Sequence, residues 1–110
     1  MTVAELKVIQ SEGIVFGEKK NNSTEEFIGW SEIEKIEVFK RDLFGHDMIY
    51  ASIHVSERKE EIELDEEDPI WINFFEELEN CLPSSRRMKD WFPEVSKPPF
   101  QLNATTIYER

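Results

Sequence analysis

Met48-Ile49-Tyr50-Ala51-Ser52-Ile53-His54-Val55 sets Ile49, Ala51, Ile53 and Val55 on one side of an extended chain, and Tyr50, Ser52 and His54 on the other. Further on, Asp68-Pro69-Ile70-Trp71-Ile72-Asn73-Phe74-Phe75-Glu76-Glu77-Leu78-Glu79-Asn80-Cys81-Leu82 changes the period. Trp71, Phe74, Phe75, Leu78 and Leu82 recur at helical spacing, while Glu76, Glu77 and Glu79 fall on the polar side. Asp68 is a suitable N-cap and Pro69 suits a first helical position, so a helix is expected over about 69–82. A one-sided strand followed by a one-sided helix implies a sheet whose apolar face the helix covers.

The chain before Met48 supplies more short strands. Val3 to Ile9 alternates, Ser11-Glu12-Gly13 turns, and Ile14-Val15-Phe16 resumes. Lys19 to Thr24 is polar, and Phe27-Ile28-Gly29-Trp30 is apolar again. Ser31 and Glu34 have capping-box spacing, which predicts a brief helical turn. Ile33 to Arg41 then extends, with Ile36 and Val38 on one face. Glu61 to Leu64 returns after a charged turn, with Ile62 and Leu64 inward. After Pro83-Ser84-Ser85, a short helix capped by Ser85 is expected over Met88 to Phe92, closing before Pro93. The remainder reads as irregular.

The expected fold is therefore α+β in one domain spanning 1–110. A strongly bent antiparallel sheet or small barrel of about six strands (about 3–65) is capped by the helix, and a tail with a short helix follows (83–110). Neighbouring strands joined by short turns favour antiparallel pairing.

Composition narrows the class. The 110 residues include 24 Asp+Glu and 13 Lys+Arg, a net charge of −11, and 12% are aromatic. The aromatic content argues for a packed core despite the charge. A single Cys and the absence of a basic-then-apolar leader lead us to expect a cytoplasmic protein. The acidic balance argues against nucleic acid and disfavours an anionic membrane surface.

Ile28-Gly29-Trp30-Ser31-Glu32-Ile33 and Phe39-Lys40-Arg41-Asp42-Leu43-Phe44 carry a resemblance. So do Leu82-Pro83, Trp91, Pro99-Phe100, Asn103, Thr105 and the Tyr108-Glu109-Arg110 ending. Over about residues 26–110 the chain resembles a group of small bacterial proteins with a pleckstrin-homology-like fold and no established function. The resemblance implies that fold and brings no ligand or catalytic residue with it.

Charge is unevenly placed. Residues 57–79 hold 11 carboxylates against Arg58 and Lys59, a net of −9, whereas residues 83–110 are net +2, with five cations against three carboxylates. Glu60, Glu61, Glu63, Asp65, Glu66, Glu67 and Asp68 are accordingly the first candidate partner-binding residues, as a face for a basic protein. The competing reading is a solvated face that aids solubility and favours a helix N-terminus. Trp91, Phe92 and Phe100 form an alternative docking surface, against a strap packed on the domain. Lys40-Arg41 with Arg58-Lys59 is weighed between an anionic headgroup and cross-strand ion pairing.

No metal or cofactor is expected, because His46 and His54 have no Cys or His cluster and the acidic run lacks calcium-loop spacing. Cys81, beside Leu78 and Leu82, reads as a small buried hydrophobe. Without a reactive constellation, no enzyme is expected. The sequence favours a non-enzymatic protein-binding module, one specific version of which is an acidic inhibitor or immunity-type protein. The alternative is a homo-oligomeric structural module built through a sheet edge or the tail.

Overall fold

A computed structural model describes residues 4–18, 25–42, 47–57, 61–96 and 104–110. The chain runs through strands β1 (Ala4–Ile9), β2 (Gly13–Glu18) and β3 (Glu26–Gly29), and a 3-10 turn over Trp30–Glu32. Strands β4 (Ile33–Asp42), β5 (Asp47–Val55) and β6 (Ile62–Asp65) follow. Helices α1 (Trp71–Cys81) and α2 (Met88–Ser96) precede a last strand, β7 (Thr105–Glu109). The fold is α+β, with two antiparallel sheets ordered β1-β2-β3 and β6-β5-β4-β7. The sheets come together where β1 runs beside β6, but among the described residues their ladders do not join into a barrel.

Alternation works as the sequence suggests on the inner face. Ile36 faces Ile53 across β4 and β5, Val38 faces Ala51, and Leu64 and Ile62 of β6 face Ala51 and Ile53. All of these are buried, and they share one hydrophobic cluster with Ile14, Phe16 and Ile28 of the smaller sheet. Helix α1 lays Trp71, Phe74, Phe75 and Leu78 into that cluster. The Trp30 ring stacks on Phe74 at 6.0 Å, and its indole N–H donates to the Gln10 carbonyl at 3.1 Å, so the ring is buried without an orphaned donor.

Three details differ from the sequence reading. The first is β7, which falls in the tail expected to be irregular and pairs with β4 through Val38–Thr105, Glu37–Thr106, Ile36–Tyr108 and Lys35–Glu109. Its Thr105-Thr106-Ile107-Tyr108 is β-branched and aromatic, which suits a strand. The second is α2, which continues through Pro93 to Ser96. Trp91 and Val95, one turn apart and both buried, hold it together across the missing N–H. The third concerns the caps. Gly29 donates its N–H to the Glu32 carboxylate at 2.7 Å, so the cap of the 3-10 turn lies ahead of Ser31. Helix α1 begins at Trp71 after Ile70, with Asp68 turning the chain before it. Ser85 is buried ahead of α2, where the Met88 N–H is taken instead by the Glu79 carboxylate at 3.1 Å.

Lys40 departs furthest from expectation. It follows Ile36 and Val38 on the inner face and is 2% exposed. Its ammonium donates to the Ser96 carbonyl at the end of α2, at 3.0 Å, and lies 3.6 Å from Asp47. A cation at a helix C-terminus is favoured by the orphan carbonyls and the macrodipole.

Two substitutions test this packing. Phe74 is fully buried, and Phe74→Ala should cost about 3–5 kcal/mol, read from denaturant unfolding. An unchanged midpoint would contradict the packing of α1. At Gly13, a Cβ would lie 2.1 Å from the Ile28 carbonyl oxygen, because β2 and β3 cross closely there. Gly13→Ala should therefore cost about 1–3 kcal/mol, the range for overpacking, and a variant as stable as the parent would contradict that approach.

Candidate docking groove

The acidic run proves to be a folded connection. Glu66 extends the β5–β6 pairing: its N–H donates to the Ile49 carbonyl at 2.9 Å, and its carboxylate accepts the Ile49 N–H at 2.9 Å. The Asp65 carboxylate accepts the Glu67 N–H at 2.9 Å, and the Asp68 carboxylate accepts the Ile70 N–H at 3.0 Å. Two successive side-chain turns thus carry the chain from β6 into α1. Glu63 lies on the outer face of β6 and pairs with Arg41 at 3.0 Å. Glu61 is bonded to Ser52 and lies 3.3 Å from His54. Glu63, Asp65 and Asp68 are buried, and of the candidate carboxylates that are described only Glu67 is exposed. Glu60 lies outside the described residues. Local hydrogen bonds thus engage Glu61, Glu63, Asp65, Glu66 and Asp68, and where the donor is a backbone N–H the negative charge remains.

The outer sheet face is equally occupied. Arg41 spreads over the Tyr50 and Phe39 rings at 4.4 and 5.1 Å, and these rings stack on each other at 5.7 Å. His54 also lies 3.5 Å from Glu37. Lys40 and Arg41 therefore take the cross-strand ion-pairing role; Arg58 and Lys59 lie outside the described residues. Ser52 is buried against Glu61, so its hydroxyl is held by a carboxylate rather than by His54. This outer-face cluster was not anticipated, because it depends on the register of three strands.

The alternative surface divides as well. Trp91 is 0% exposed and packs on Phe75 at 5.1 Å, which corrects its placement on a docking surface. Phe92 beside it is 39% exposed, and Phe100 lies outside the described residues. Phe92 meets Ile72, 53% exposed on α1, across an open cleft of about 640 Å³. The cleft is walled by Pro69, Trp71, Met88 and Pro93, with Glu66, Asp68 and Lys89 completing its lining. Ile72 and Phe92 are two of the three large hydrophobic side chains that stand exposed among the described residues, Phe27 being the other. The sequence held a usable signal for Ile72, which is apolar yet falls off the stripe of Trp71, Phe74, Phe75 and Leu78.

Among the described residues no group of His, Cys, Asp and Glu is arranged to hold a metal ion, and no helix is long and apolar enough to cross a membrane. Comparison with protein-family models, curated proteins and solved structures finds no match for this chain.

Cys81 is partly buried at the end of α1, with its sulfur 3.4 Å from the Glu77 carboxylate and 3.8 Å from the Ser11 carbonyl. Burial, and then the Glu77 carboxylate, push its thiol above the ordinary range. The thiolate is the nucleophile, so iodoacetamide at neutral pH should modify Cys81 more slowly than free cysteine. Glu77→Gln should speed the reaction; equal rates in the two proteins would contradict this.

Proposed function

We propose that this chain is a non-enzymatic, cytoplasmic protein-binding module that engages its partner through the α1–α2 groove. The observation that carries the reading is the pairing of exposed Ile72 and Phe92 across one apolar cleft. Exposed apolar side chains gathered at a concave place are the usual mark of an interaction surface. The domain serves as a scaffold, two antiparallel sheets and two helices around one core, and the pleckstrin-homology-like fold is kept as what the sequence resemblance implies. An inhibitor or immunity-type role is one form of this function, in which the groove blocks a basic partner protein.

A second reading, a homo-oligomeric structural module, is supported by the position of β7 at the edge of the four-stranded sheet. The Arg86 N–H donates to the Ile107 carbonyl on this strand at 2.7 Å, and what remains of the edge can pair with the same strand of another copy.

The test uses the purified chain and the double variant Ile72→Asp/Phe92→Asp. Neither side chain is enclosed by the core, so the variant should stay folded at a cost of about 1–2 kcal/mol, which denaturant unfolding checks. Affinity capture from the native cell, read by mass spectrometry, should recover a partner with the parent and lose it with the variant. Equal recovery would reject the groove. Light scattering on the same samples separates the second reading, which requires a dimer or larger species that both proteins form equally.

A further inference from the structure

We infer that the groove is selective for a basic amphipathic segment: apolar side chains about one helical turn apart, flanked by Lys or Arg. This rests on the docking reading above and names the chemistry of its occupant. The argument is one of charge complementarity at an apolar site. Glu66 lines the groove with its carboxylate held by a backbone N–H, a neutral donor that orients the charge without cancelling it. Glu67 stands exposed beside it. Ion pairs among the described residues engage Glu37, Asp47, Glu61, Glu63 and Glu94, but neither Glu66 nor Glu67. Glu76 lies on α1 one turn beyond Ile72 and is also exposed. The α1 side of the groove belongs to the stretch that carries the net −9 and its α2 side to the segment that is net +2, with Lys89 the one cation lining it among the described residues.

An approaching segment must satisfy both features. Its apolar side chains fill the space between Ile72 and Phe92. Its cations meet Glu66 and Glu67 while their methylene stems cover the adjoining apolar wall. The field of the whole acidic chain speeds the encounter and repels acidic segments of the same shape. A helix seated in a groove presents its anchors at the required spacing.

The probe is a fluorescein-labelled synthetic peptide of about four helical turns, with Leu and Trp at i and i+4 and Lys at the polar positions. A twin carries Glu in place of Lys, and a third carries Gln. Fluorescence anisotropy with the full chain should rank Lys over Gln over Glu. The Lys peptide should bind at least about tenfold more tightly than the Glu peptide, and its advantage should shrink as salt rises. Lys89→Glu should tighten the Lys peptide, and Glu67→Lys should weaken it.

Ile72→Asp separates groove docking from general attraction to an acidic protein. It adds a negative charge, so diffuse attraction would strengthen, whereas docking in the groove would be lost. Equal or preferred binding of the Glu peptide overturns the inference, and if Ile72→Asp abolishes that binding, the docking reading survives. Lys-peptide binding that Ile72→Asp leaves intact overturns both. Failure of all three peptides to bind at about 1 mM also overturns the inference, and the partner capture then judges the groove by itself.

Discussion

The packing of Phe75 is the contact on which the rest of this structure depends. Its ring lies 4.8 Å from Trp71, 4.9 Å from Phe74 and 5.1 Å from Trp91. Two of these neighbours are on its own helix and the third is on α2, so one ring fixes how the helices sit on the sheet. Phe74 carries the chain of contacts on to Trp30, at the junction between the two sheets. Edge-to-face and tilted pairs of this kind add about 0.5–1.5 kcal/mol each beyond the area they bury. The smaller sheet, the larger sheet and both helices thus share one core.

That arrangement explains which features could be read from the sequence. The inner face of β4, β5 and β6 was legible because alternation is local, and so was α1, because its stripe is wide and aromatic. Strand β7 was not, because its place is fixed by β4, more than sixty residues earlier in the chain. Lys40 was equally opaque. A lysine in an alternating strand is normally assigned to solvent, and only the nearby end of α2 makes its burial favourable. Pro93 was read as a stop, and Trp91 and Val95 override that stop through tertiary packing. For the groove, Phe92 was legible as a candidate, whereas Trp91 looked equivalent until the helix fixed which residue faces inward.

The acidic run carries structural hydrogen bonds that its charge alone does not reveal. Each carboxylate is an acceptor for up to several donors, and a turn offers backbone N–H groups with no other partner. Asp65, Glu66 and Asp68 take up such donors, and Glu63 and Glu61 engage side chains of β4 and β5. The same residues therefore shape the entry into α1 and leave negative charge at its edge. The proposed docking draws only on the part of the run next to the groove.

The groove itself follows from how α2 is held. Its first N–H is fixed by Glu79, in the last turns of α1, and its final carbonyl is fixed by Lys40 from the sheet. Trp91 and Val95 seat the helix between those points. Held at both ends, α2 leaves a space beside the start of α1, and Ile72 and Phe92 line it. Neither side chain is enclosed by the core: Ile72 is 53% and Phe92 39% exposed, the latter with one side against the Trp91 ring at 6.0 Å. The proposed docking therefore rests on two exposed hydrophobic side chains across an open cleft and on Glu66 and Glu67, which no ion pair engages among the described residues.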